Sequence, residues 1–148
     1  MAKNSLPILR ISLGVVFFWF GFLKFFPGLS PAQELATRTT EVLGFGLVKP
    51  ALSLPVLASW ESLIGLGLIF GAREGWIMRG TLFLLFLQML GTITPLFLFP
   101  SQVFTRIPYA PTLEGQYILK NMVLIAAGLV IGATVRGGYL ISEPQSSR

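Results

Sequence analysis

The chain has 148 residues, 53% hydrophobic and only 11% charged, where soluble domains average roughly 25% charged. It contains no cysteine, no histidine and no aspartate, which excludes thiol–disulfide chemistry, zinc or haem held by thiolate or imidazole, and Ser-His-Asp triads. The net charge of +5 comes from Lys and Arg near segment ends, where they read as topology and headgroup charges and not as a nucleic-acid footprint.

This composition predicts one all-α, integral membrane domain over residues 1–148, with no metal site. Its chemistry is left to Glu, Lys, Arg, Tyr, amides or an imported cofactor. No catalytic constellation is visible, so a catalytic role for the chain itself stays open.

The first span is expected over about residues 7–26. Asn4 or Ser5 reads as its N-cap, with Pro7 in the first turn, where a missing N–H is harmless. The segment is too long and too basic for a cleaved signal peptide. Arg10, Gly14, Phe17, Gly21 and Lys24 recur at steps of four and three, which places them on one face that a neighbouring helix can approach closely. That face looks inward, or else Arg10 and Lys24 snorkel to opposite interfaces.

Between Pro27 and Pro50 the composition is mixed. Ser30, Pro31 and Gln33 read as a capping box opening a short interfacial helix over about 31–46, with a stripe of Leu35, Ala36, Thr39, Val42, Leu43 and Gly46. It covers the mouth of a cavity or serves only as a connector; the residues do not separate these.

The second span, about 51–71, has Glu61 at its middle. A carboxylate near a bilayer midplane costs at least ~2.5 kcal/mol on insertion scales, so it faces a protein interior or wet cavity and finds a partner. A basic turn with Arg73, Arg79 and interfacial Trp76 leads to a third span over about 78–99, where Gln88 lies mid-helix with Thr92 and Pro95 on the same side. Residues 100–115, with three prolines, Phe104 and Tyr109, read as a stiff interfacial loop. Thr112 then caps a fourth span over about 113–135, whose first turns carry Lys120 and Asn121 and add positive charge to a helix N-terminus.

Lys3, Arg10, Arg73, Arg79, Arg136 and Arg148 fall on one side of such an arrangement, Lys24, Arg38, Lys49, Arg106 and Lys120 on the other. With the intrahelical lysines set aside, the first side is richer in loop charge, which places both termini in the cytoplasm. LIGLGLIFGA at 63–72 aligns without gaps onto LIAAGLVIGA at 124–133, the pattern of two hairpin repeats with a site between the halves.

The runs RISLGVVFFWFGFLKFFPG, WESLIGLGLIFG, TPLFLFP and EGQYILKNMVLIAAGLVIGA, with the ordered set Lys24, Glu61 and Lys120-Asn121, resemble the DoxX-like family of small four-helix bacterial membrane proteins. The resemblance covers essentially the whole chain. It implies a four-helix bundle in the bacterial inner membrane and a redox or stress-response setting, as a membrane subunit or partner of an oxidoreductase. More distant relatives act as receptor-assembly factors. Some redox relatives carry cysteines; this chain has none, so electron transfer through protein thiols is not supported.

Two classes of function follow, beside a transporter or channel, for which one intramembrane acid and four helices are too few unless the chain oligomerises. In one, an outward-opening pocket bounded by Lys24, Glu61, Gln88, Thr92, Lys120 and Asn121, walled by Phe17, Trp60 and Phe25, binds a quinone or another lipophilic ligand, with no covalent cofactor. The lysines donate to a ring carbonyl or headgroup oxygen and Glu61 balances their charge or relays a proton. The short helix and the Tyr109 loop sit at the mouth. In the other, the Glu–Lys cluster is a structural ion pair, and the Gly67/Gly71 and Gly128/Gly132 faces serve packing or assembly. The expected partners are membrane lipid, a membrane or redox protein, or further copies of the chain, and no nucleic acid.

Overall fold

A computed structural model of the protein describes residues 2–26, 28–30, 33–47, 49–71, 75–135 and 137–138. The expected helix start at Pro31 and the orienting charges Arg73, Arg136 and Arg148 lie outside these residues. The described chain is mostly helical: α1 (Ala2–Leu23), α2 (Gln33–Leu43), α3 (Pro50–Phe70), α4 (Gly75–Ile93), α5 (Pro95–Leu98), α6 (Pro100–Val103) and α7 (Leu113–Thr134). Four stretches are long and apolar enough to cross a membrane, Asn4–Leu23, Ala51–Phe70, Gly75–Leu98 and Leu113–Thr134. α1 packs on α3, α3 on α4, α4 on α7 and α7 on α1.

Several boundaries differ from the sequence expectation. α1 already covers Asn4 and Ser5, so neither caps it, because Pro7 removes one backbone bond without breaking the early turns. It ends at Leu23 and not near 26: the N–H groups of Lys24, Phe25 and Phe26 bond three residues back, each at 3.1 Å, a tightened final turn. Trp76 belongs to the first turns of α4 and not to a loop. Pro95 splits the third span, since it cannot donate to the carbonyl of Gly91; the Thr94 N–H and hydroxyl both turn to that carbonyl instead, at 3.3 and 2.6 Å.

The segment read as a loop holds a small antiparallel hairpin, β1 (Phe104–Arg106) with β2 (Ala110–Pro111), its turn containing a cis Ile107–Pro108 bond. The expectation of a purely α chain is corrected to this extent. Two strands of two or three residues are too short for a period-two pattern to register. Thr112 caps α7 as expected, accepting from Gly115 N–H at 3.1 Å, and its hydroxyl donates back to Gln102 O at 2.7 Å.

α2 ends where Phe45 and Gly46 take positive φ, 50° and 75°, and Gly46 N–H bonds Glu41 O at 2.9 Å, a left-handed stop of the Schellman kind. At its other end Gln33 Oε1 accepts from Gly28 N–H at 2.9 Å. The helix is docked by Leu35, which joins Val103 and Ile118 in a small core, and by the Arg38 guanidinium 4.8 Å from the centre of the Phe99 ring. The main core is formed by Leu13 and Phe17 of α1, Ile64 and Leu68 of α3, Leu82, Leu85 and Met89 of α4, and Ile131 of α7.

Candidate functional site

The site rests on the α1–α3 seam. A Cβ on Gly65 would lie 2.5 Å from the Phe18 backbone nitrogen, and one on Gly21 would lie 2.7 Å from that of Ser62. The two backbones therefore touch where the spacing of Gly14, Phe17 and Gly21 pointed. Arg10 also faces inward: its Nη1 donates to Leu68 O, and to Ile69 O at 2.9 Å, holding the last turn of α3, where carbonyls favour a cation.

Gly21 abuts Glu61 and Ser62, so the final turn of α1 is level with the middle of α3. Counting depth from each helix end puts Glu61 well below Lys24; the stagger removes most of that difference. Lys24, just past the end of α1, folds back along its own helix, with Nζ 3.4 Å from Phe20 O, and forms an ion pair with Glu61 Oε2 at 2.5 Å. The other oxygen, Oε1, accepts from Gln88 Nε2 at 2.8 Å. Glu61 and Gln88 are 8% and 7% exposed. The buried carboxylate has one charged and one neutral donor, which is what keeps such a group tolerable away from water.

Beside this triad, Asn121 Nδ2 donates to Thr92 Oγ1 at 3.1 Å, and Thr92 in turn donates to Met89 O at 3.0 Å. Lys120 does not join Glu61. It is exposed and sits 5.5 Å from the centre of the Tyr117 ring, with no ion pair among the described residues. As Asn121's chain neighbour, Lys120 is turned about 100° around α7, so the two cannot point the same way.

Lys24, Glu61, Gln88, Thr92, Lys120 and Asn121 all line one cavity of about 640 Å³, within the range of roughly 300–1,000 Å³ usual for small-ligand sites. Its remaining walls are largely apolar, with Val16, Phe17 and Phe20 of α1, Leu57 of α3, Met89 of α4, Ile118 and Leu124 of α7, and with Glu114 and Tyr117 at the start of α7. α2 closes it with Leu35, Ala36, Thr39, Thr40 and Leu43. The hydroxyls of Thr39 and Thr40 are spent on Leu35 O and Ala36 O at 2.7 and 2.8 Å, so this side of the cavity is mainly greasy.

Two expected wall residues are elsewhere. Trp60 points to the other side of α3, where its indole N–H donates to Leu84 O at 3.1 Å and it borders a shallow outer groove; the residue before Glu61 is rotated away from Glu61's face. Phe25 lies beyond the end of α1, 46% exposed, edge-on to Phe22. The Tyr109 loop is not at the mouth either: Tyr109 is 72% exposed, and no residue between Pro95 and Glu114 lines the cavity. Val16, Phe20 and Tyr117 are lining residues the sequence reading missed. Their signal was present, since Val16-Phe20-Lys24 and Tyr117-Lys120-Leu124 each follow helical spacing.

Gly67 and Gly128, equivalent in the internal alignment, both face α4, against Thr81 and Leu85 respectively. These glycines pack within the chain. Compared with models of known protein families, with curated proteins and with solved structures, the chain matches none.

Proposed function

We propose that this protein is a multi-pass, four-helix membrane bundle, arranged as two hairpin repeats, that binds a quinone or a similar lipophilic ligand with a hydrogen-bonding head. The observation that carries the reading is the cavity: about 640 Å³, mostly apolar, with Lys24, Glu61 and Gln88 linked across its buried side. Few apolar pockets with convergent polar groups occur per protein, and they are the default binding sites. The Lys24 ammonium is the donor for a head carbonyl, and the unengaged carbonyl ends of Gln88 and Asn121 are acceptors for a hydroxyl. The DoxX-like resemblance supplies the setting: a bacterial inner-membrane subunit or partner in a redox or stress-response system, both termini in the cytoplasm.

One observation favours a second reading. Both Glu61 oxygens already have donors within the chain, as a purely structural pair in an assembly protein requires. Native mass spectrometry of gently extracted protein separates the two. Ligand binding is upheld by a hydrophobic adduct that survives on the wild type and is lost on Asn121→Leu. Bare protein throughout overturns it in favour of the assembly role.

A further inference from the structure

Resting on the ligand-site reading, we infer that the cavity is filled sideways from the bilayer: a neutral-headed, single-chain amphiphile passes between α1 and α7, head inward, and its chain stays in that gap. The back of the cavity is closed. Glu61, Gln88 and Met89, on α3 and α4, are buried, as is Leu35 of the covering helix α2. The exposed lining residues lie instead on α1 and α7, namely Val16 and Phe20 at 38% each, Tyr117 at 39%, and Lys120, with Leu43 at the edge of α2.

The same two helices contribute to one core, Leu9, Leu13 and Phe17 from α1 and Leu124, Ile125, Ile131 and Val135 from α7. Phe17 and Leu124, which line the cavity, belong to the same cluster, so the two helices are neighbours here and the half-exposed Val16, Phe20 and Tyr117 mark the opening between them. Val16, Phe20 and Lys24 stand at successive steps of four on α1, so the α1 side of the gap runs from apolar to the ion pair along one stripe. An amphiphile fits this gradient with its chain against Val16 and Phe20 and its head at Lys24 and Gln88. Lys24 and Glu61 cancel in charge, as do the other two charged lining residues, Glu114 and Lys120, and a neutral head avoids the desolvation that an ion would add there.

The test uses protein reconstituted in phosphatidylethanolamine–phosphatidylglycerol vesicles with a decylbenzoquinone bearing a terminal diazirine, labelled sites being mapped by peptide mass spectrometry. Labelling of α1 and α7 around Val16, Phe20, Tyr117 and Leu124, suppressed by excess plain decylbenzoquinone, is expected. Val16→Trp should abolish this suppressible labelling, while Val15→Trp, on a lipid-facing position outside the cavity, leaves it intact; thermal unfolding identifies a variant that has merely failed to fold. Suppressible labelling confined to α2 or the β1–β2 hairpin overturns the lateral route and keeps the site. Absence of any suppressible labelling overturns both.

Discussion

Glu61 is held by a lysine that reaches it from one turn farther along a neighbouring helix, so removing either charge strands the other in an apolar interior. Glu61→Gln should lower stability by about 3–5 kcal/mol, and the double variant with Lys24→Met should be milder than the sum of the single losses. Lys120→Met, by contrast, should combine additively with Glu61→Gln, because Lys120 is exposed and engaged with Tyr117. Unfolding in detergent of these five proteins checks both statements. Equal coupling of Glu61 to the two lysines would contradict the geometry.

Glycines give a second residue-scale contrast. Gly65→Ala drives a methyl into the Phe18 backbone at 2.5 Å, which cannot move as a side-chain tip can, and should cost at least about 1–3 kcal/mol. Gly80→Ala meets nothing within 4 Å and should be neutral or stabilising by up to about 1 kcal/mol, the helix propensity difference. Thermal melting of the two variants side by side decides; matched shifts would show that the seam is looser than described.

Among the elements, α2 packs on α3 and has one buried apolar side chain, Leu35, beside the Arg38–Phe99 contact. Leu35→Ala removes its buried anchor. Hydrogen exchange over residues 33–43 should then accelerate while α3 and α4 keep their protection. Uniform acceleration would mean that α2 is part of one cooperative core.

How far the elements were legible follows from what periodicity encodes. The inward face of α1 and the inward polar cluster of Glu61, Gln88, Thr92 and Asn121 were readable because intramembrane polar groups turn inward whatever the loops do; Lys120, nearer a helix end, lines the cavity but stays exposed. The stagger of α1 against α3 was not, since it is set by where Gly14, Gly21 and Gly65 interlock, and one helix's spacing carries no information about its partner's height. Trp60 was misplaced by sequence adjacency to Glu61, which on a helix means a different face. The hairpin was hidden by its two prolines, Pro108 and Pro111, which read as loop.

For the whole molecule, the proposed placement of both ends in the cytoplasm predicts that a cytoplasm-only reporter fused after Arg148 is active and one inserted at Arg38 is silent. The reverse pattern would invert the arrangement, and with it the side on which Lys24 and the cavity lie.

The two halves of this fold are also unequal as materials. α1 and α3 meet backbone to backbone and are pinned by Arg10 at the last turn of α3 and by Lys24 at the end of α1; α7 rests on α4 through side chains, Leu85 at Gly128, Leu82 at Gly132 and the Asn121–Thr92 hydrogen bond. Interlocked backbones deform only by breaking contacts, whereas side-chain tips yield by changing rotamer. One wall of the cavity is thus a frame and the other a spring. Spin labels paired across α1 and α3 should report one narrow distance and those across the C-terminal half of α7 and α4 a broader one, since the N-terminal turns of α7 are held by the Val103 backbone at Gly115 and by the Asn121–Thr92 hydrogen bond.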